Sequence, residues 1–314
     1  MDSIELQKLA ERTRSMREAG LALLFASGVL GLFLLIPHTA SPSPAAIAMA
    51  TSTAPDAFAQ VPIEAKAAIV YDLATGKTLY EKNADAQLPL ASLTKLLTVY
   101  AAFALLSPNT PITIPADVTH LDAPHAFSAG QIFSLADLAR LTLTASLNDG
   151  AAAIAEATAA RENRSEIEML AGAAAALNLS QTYAVNGNGL DVSTTLSGGY
   201  GSARDLARLA GALVKEAPTV AAATTKSSAQ GVSAGGTSFS VKNTDPMVST
   251  IPRLLLSKTG YTDLAGGNLA LVFDAGIEHP IAIIVLGSSE KQRFTDGTAL
   301  VAATLAHFAG VSSL

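Results

Sequence analysis

One stretch divides this chain before any other feature is weighed. Ala19 to Ile36 is a run of 18 residues whose only polar side chain is Ser27. A helix of about 20 apolar residues crosses the roughly 30 Å hydrocarbon core of a bilayer, whereas a helix in a soluble core usually keeps a polar stripe. Residues 19–36 are therefore expected to form a transmembrane anchor or signal segment, with the folded domain elsewhere. Lys8, Arg12, Arg14 and Arg17 precede the run and no charge returns until Asp56. By the positive-inside rule, residues 1–18 are expected in the cytoplasm and the rest on the extracytoplasmic side of the cell membrane. Small-x-small sites at 48–50 ("AMA") and 57–59 ("AFA") leave cleavage open, and a retained single-pass anchor is the favoured reading. Pro, Ser, Thr and Ala dominate 37–62, the composition of a tether, which assigns 63–314 to the domain that does the chemistry.

The chain has 314 residues, 49% hydrophobic and 15% charged, enough for one sizeable core. Its net charge is -6, and in the first 37 residues Asp2, Glu5, Glu11 and Glu18 balance the four basic residues. All the excess acid lies in the body, which argues against a nucleic-acid partner. With no cysteine, disulfide frameworks, thiolate metal sites and thiol nucleophiles are excluded.

In "ASLTKLL" (91–97) a lysine interrupts an apolar helix start, three places after a serine. Leu93, Leu96, Leu97, Tyr100 and Phe103 recur at helical spacing, which puts Ser92 at the helix N-terminus. Residues i and i+3 share a face, so the Lys95 amine can reach the Ser92 hydroxyl. Free backbone N–H groups at the same helix end suit an oxyanion. Burial disfavours the ammonium, and a neutral amine can act as base for a weak serine nucleophile. An isolated S-x-x-K is more simply an N-cap beside a solvated lysine; about one match arises by chance in a chain this long. A second copy, Ser288 to Lys291, has a polar, turn-like context with nothing to desolvate its amine, and is set aside.

What distinguishes the first copy is its company. Ser146, Leu147 and Asn148 fall between two helical segments, one starting near Ser134 and the next at Asp149. Lys258, Thr259 and Gly260 close an apolar strand, with another strand from Asn268. The order S-x-x-K, S-x-N, K-T-G is a signature of serine acyl-transfer enzymes, whose middle motif is usually S-D-N. None of the five histidines sits in a stretch like that of a serine-histidine enzyme, so lysine takes the part of base.

With these motifs, and with "IVYDLATGKTLYEKNADAQLPLASLTKLLT", "GQIFSLADLARLTLTASLNDGAAAIAE", "NGNGLD", "SARDLARLA" and "KTGYTDLAGGNL", the sequence resembles the penicillin-binding D-alanyl-D-alanine carboxypeptidases from about Ala67 to Phe308. The resemblance implies Ser92 as nucleophile, Lys95 as its base and Ser146 as proton relay to the leaving amine. It implies that Asn148 orients the substrate amide and that Lys258, with Thr259 and Gly260, lines the place of the substrate carboxylate. The N–H groups of Ser92 and Tyr261 would form the oxyanion hole, and Arg293 would receive the terminal carboxylate. Peptidoglycan stem peptides are the implied substrates and β-lactams the implied covalent inhibitors; no cofactor and no metal are called for. Leu147 departs from the small residue more usual there, and pointing into the core is favoured over narrowing the cleft. Only 54 residues follow Gly260, so no further domain is expected and the N-terminal span would serve as anchor.

Four rivals remain. A class A-like β-lactamase needs a glutamate-led loop for deacylation, and "ARENRSEIE" reads instead as helix; a D,D-endopeptidase would use the same site. Asp117, His120, Asp122 and His125 have ligand-type side chains, but no helical H-x-x-x-H spacing. A catalytically silent wall-binding or sensor module would more readily have lost Ser92 or Lys95. The resemblance implies an α+β fold built on an antiparallel five-stranded sheet, and the N-terminal hairpin (66–83) is expected to join the strands near 238–242, 253–258, 268–274 and 281–286 in it, one candidate more than five strands need. Helices, one from about 294 to 309, flank it, and a mostly helical subdomain, 92–215, completes the cleft. "NGNGLD" reads as turn chemistry, "GVSAGGTSFS" as a flexible turn, and the Ala-rich 149–177 as a packed helix pair.

Overall fold

The computed structural model describes residues 2–34, 56–276 and 278–310. It comprises two compact units, residues 1–52 and 53–314. In the first, α1 runs Ser3–Leu34, with Leu21, Leu23, Leu24 and Phe25 exposed. Residues 35 and 36 of the expected span, and 37–55 of the expected tether, lie outside the described residues. Among the described residues no helix is long and apolar enough to cross a membrane.

The second unit begins earlier than its composition suggests. Ala57 and Phe58 are buried, and the Phe58 ring stacks on Tyr80 at 5.8 Å, so this end of the expected tether belongs to the fold. Alternating apolar residues then make β1 (Ala67–Asp72), which turns into β2 (Thr78–Lys82). Ala67 and Ile69 enter one core while Ala68 and Val70 enter another, the period of two that a sheet covered on both faces requires. A short strand, β3 (Leu88–Pro89), leads to a tight 3₁₀ turn over Ala91–Leu93 and to α2 (Thr94–Leu105). α2 is buried nearly all round, so its periodic leucines mark only part of the face it hides.

The helical part continues through the hairpin β4 (Pro111–Thr113) and β5 (Ile132–Ser134), then α3 (Leu135–Ala145), α4 (Asn148–Arg161) and α5 (Glu166–Ala176). Ser134 caps α3 by accepting from the Asp137 N–H, and Ser165 forms a reciprocal capping box with Glu168 at α5. "ARENRSEIE" is therefore not one helix: α4 stops at Arg161, Asn163 takes φ 51°, and a new N-cap follows. Strand β7 (Gly199–Gly201) pairs with β3 on one side and with β6 (Tyr183–Ala184) on the other, and α6 (Ala203–Glu216) and α7 (Pro218–Ala223) follow.

The chain then forms β8 (Ser228–Val232), β9 (Ser238–Lys242), β10 (Leu254–Thr262), β11 (Gly266–Asp274), β12 (Pro280–Ser288) and α8 (Gln292–Ala309). The main sheet has five antiparallel strands in the order β10-β11-β12-β1-β2. The strand at 238–242 is not among them. Its partner is β8, so "GVSAGGTSFS" is the tip of a separate hairpin rather than a lead-in to the sheet. α8 packs Leu300, Val301 and Ala303 against one face of the sheet, and α6 with the helical subdomain covers the other. β10 sits at the sheet edge, which is where an extended ligand can lie alongside it.

Candidate active site

The site begins at the junction of the 3₁₀ turn and α2. Ala91, fully buried, is held at φ 48° immediately before Ser92. Lys95 lies in the first turn of α2, fully buried. Its Nζ lies 2.8 Å from Ser92 Oγ, and donates to Asn148 Oδ1 at 2.7 Å and to the Asn188 carbonyl at 2.5 Å. The orientation of Asn148 is fixed, because its Nδ2 donates to the Asp122 carbonyl at 2.8 Å. A neutral amine has two N–H donors and one lone pair. With Asn148 Oδ1 and Asn188 O taking the two donors, the lone pair is left for the Ser92 hydroxyl proton. Burial lowers the Lys95 pKa to about 7, against the opposing pull of the Asp149 carboxylate.

Ser146 closes α3 in the left-handed region (φ 59°, ψ 33°), which turns its hydroxyl out of the helix path. Lys258, in the middle of β10, donates to Ser146 Oγ at 2.8 Å and to the Thr259 carbonyl at 2.7 Å. The apolar pattern ends this strand at the K-T-G motif, whereas the strand continues to Thr262, with Lys258 opposite Ala270 and Gly260 opposite Asn268. Burial above all, with the neighbouring Lys95 and Arg293 side chains, holds the Lys258 amine well below the ordinary lysine range. Thr259 Oγ1 lies 2.6 Å from Thr244 Oγ1.

Gly260 is where strand and nucleophile meet. A Cβ there would lie 3.0 Å from the Leu90 carbonyl oxygen, 3.2 Å from the Ser92 nitrogen and 3.3 Å from the Leu93 nitrogen. Only glycine lets β10 come this close to the nucleophile turn. Thr259 and Tyr261 are two residues apart, so the Thr259 carbonyl and the Tyr261 N–H leave the same edge of the strand. The Tyr261 side chain is exposed. Arg293 enters from α8, where its Nη1 donates to the Gly260 carbonyl at 2.8 Å while its Nε is buried without a hydrogen-bond partner. Leu147, 3% exposed, packs in the core and does not narrow the cleft.

All nine residues singled out from sequence thus lie in one connected region, apart from the Tyr261 side chain, which turns to solvent. Three contributors were missed. Asn188 belongs to "NGNGLD", where Asn186 Oδ1 accepts from the Gly189 N–H and Asn188 Oδ1 from the Leu190 N–H. Gly189, at φ 80°, lies so close to the Ala91 carbonyl that a side chain would run into it. Asp149 is fully buried and accepts from the Ala126 and Phe127 N–H groups at 2.8 and 2.7 Å. The third is the 122–127 loop, whose Asp122 and Pro124 carbonyls hold Asn148. In "DVTHLDAPH" it is thus backbone oxygens that serve the site, and among the described residues no three His, Asp or Glu side chains gather as for a metal. In the second S-x-x-K, Ser288 Oγ donates to Asp296 and Lys291 is exposed.

The chain is similar to known proteins over most of its described length. A family model described as D-alanyl-D-alanine carboxypeptidase matches residues 48–290. The D-alanyl-D-alanine carboxypeptidase DacC of Escherichia coli is 33% identical over 183 residues, 52% of this chain and 44% of that protein, so this chain spans under half of its length. A D-alanyl-D-alanine endopeptidase of Pseudomonas aeruginosa is 29% identical over 81% of this chain and 83% of its own. The crystal structure of penicillin-binding protein D2 from Listeria monocytogenes in its ampicillin-bound form superposes with a TM-score of 0.67, at 26% identity, over 78% of this chain and 98% of that one.

Proposed function

Because this chain belongs to the D-alanyl-D-alanine carboxypeptidase family, we propose that it removes the terminal D-alanine from peptidoglycan stem peptides through an acyl-enzyme on Ser92. The observation that carries the reading is the buried Lys95 amine, 2.8 Å from Ser92 Oγ, with its other two contacts taken by fixed oxygens. Neutral Lys95 takes the Ser92 proton as Oγ attacks the penultimate D-alanine carbonyl. The N–H groups of Ser92 and Tyr261 receive the oxyanion. The proton held by Lys95 then passes by way of Ser146 to the departing amine as the C–N bond breaks and D-alanine leaves; water, giving a proton to the again neutral Lys95, attacks the ester carbonyl, and that proton returns to Ser92 Oγ as the shortened peptide is released. Asn148 orients the substrate amide. Lys258 and Arg293, beside Thr259 and Gly260, face the substrate carboxylate, whose negative charge favours the ammonium that burial disfavours at Lys258.

β-Lactams are expected to acylate the same serine, an expectation supported by the ampicillin-bound Listeria relative. Cutting of cross-links is a second reading, favoured by the Pseudomonas relative named as an endopeptidase. Fast β-lactam turnover has less support, since the Glu166 carboxylate is engaged by the Gly187 N–H. We further propose that residues 19–36 anchor the protein in the cell membrane, with the peptidase unit on the extracytoplasmic side. The exposed Leu21, Leu23, Leu24 and Phe25 of α1 and the basic residues before them support this. Burial of Phe58 makes the "AFA" site a poor one for cleavage and favours retention.

The test uses the full chain in detergent. A fluorescent penicillin is expected to label the protein and fail to label Ser92→Ala, and the protein is expected to release D-alanine from a D-Ala-D-Ala tripeptide. Label on Ser92 with rapid turnover and no D-alanine would instead identify a β-lactamase.

A further inference from the structure

The Lys95 amine depends on a backbone carbonyl, and that carbonyl has no side chain of its own to fix it. Asn188 O accepts from Lys95 Nζ at 2.5 Å, and the N–H of its own peptide, that of Gly189, donates to Asn186 Oδ1 at 2.8 Å; what remains to be held is the chain before it. Gly187, the residue immediately before it, is held through both of its peptide groups. Thr98 Oγ1, one turn beyond Lys95 on α2, donates to the Gly187 carbonyl at 2.7 Å. The Gly187 N–H donates to a carboxylate oxygen of Glu166, in the first turn of α5. Gly187 itself is close-packed there: a Cβ would lie 2.8 Å from Glu166 Oε1 and 3.1 Å from Thr98 Oγ1.

We propose that Glu166 is a positioning residue for the serine acylation reaction: through the Gly187 N–H it sets the Asn188 carbonyl against Lys95, and so fixes where the base stands. This rests on Ser92 and Lys95 acting as described under Proposed function. It gives "ARENRSEIE" a role different from that of a deacylating glutamate, because the carboxylate reaches the base through the backbone of Gly187 and Asn188. The energetics favour a held contact. Burial, with Glu156 on α4 nearby, raises the Glu166 pKa, while the Gly187 N–H pulls it down. A half-buried carboxylate in such a place is stable only where a donor meets it.

Two substitutions separate the possibilities. Glu166→Gln keeps an oxygen where Oε1 stands and loses the charge, whereas Glu166→Ala leaves the Gly187 N–H without an acceptor. With a fluorescent penicillin on the full chain, Glu166→Ala is expected to slow acylation on the order of tenfold, since even small misplacement of a catalytic group is costly. Glu166→Gln is expected to return within about twofold of the parent, as an amide oxygen also accepts from N–H. In parallel, hydrogen exchange over 186–190 is expected to speed up in Glu166→Ala and stay slow in Glu166→Gln. Normal acylation with stalled release of the acyl group in both variants would overturn the proposal in favour of a deacylating base. A Gln variant as slow as Ala, or unchanged exchange at 186–190 in Ala, would also overturn it. The exchange readout holds even if the parent were not acylated, a result that would instead refute the proposed function.

Discussion

Replacing Gly260 by alanine is the smallest perturbation that reaches the reacting groups. The new methyl would meet three backbone atoms of the nucleophile turn at 3.0, 3.2 and 3.3 Å, where ordinary contact begins near 3.4 Å. None of these is the end of a flexible side chain, so β10 and the turn must part by a few tenths of an ångström. If a 1 Å misplacement costs about a hundredfold in rate, a shift of about 0.4 Å costs roughly six- to tenfold. The same overpacking is expected to lower stability by about 1–3 kcal/mol. Stopped-flow acylation with a fluorescent penicillin reads the first figure and thermal melting the second. The loss should lie in the acylation step, because the gap that opens is at the Ser92 N–H, where the oxyanion is received. An alanine variant that melts lower but acylates at the parental rate would refute the claim that this glycine sets the spacing between strand and nucleophile.

Other expectations follow from the same contacts. Asp149 favours the Lys95 ammonium, so Asp149→Asn should lower the Lys95 pKa and move the acidic limb of acylation to lower pH from its place near 7; a shift upward would contradict the assignment. Its melting temperature should also fall, since two loop N–H groups lose a charged acceptor. Asn268 ties the Pro89 carbonyl (3.0 Å) to the Gly287 N–H (2.8 Å) beneath the nucleophile turn, and Asn268→Ala is expected to cost about 2–4 kcal/mol in chemical denaturation; a loss under about 0.5 kcal/mol would show these bonds to be dispensable.

How far the site was legible in sequence depended on the kind of atom involved. Ser92 and Lys95 could be paired because helical geometry puts i and i+3 side by side, and Ser146 could be placed because a helix junction turns side chains outward. Those are local facts. Asn188, Asp122 and Pro124 contribute backbone carbonyls, which any residue possesses, so their side chains carry no signal of the role. Asp149 sits beside a motif that was read, but its function depends on a loop more than twenty residues away folding back on it. The main sheet was largely legible from alternation, yet 238–242 alternates just as well in a two-stranded hairpin, and only long-range pairing separates the two cases. Through the K-T-G motif the pattern fails because one edge of β10 faces a cleft and its residues are chosen for polarity and small size.

The account stands on an uncharged Lys95 at working pH. Carbon-13 labelling of lysine Cε in the full chain, with Lys95→Arg to identify the resonance, measures its titration directly. A midpoint near 7 is predicted, with the rate of Ser92 acylation rising through the same pH. A midpoint at the ordinary lysine value, above about 10, would mean that the amine stays protonated and that another group takes the Ser92 proton.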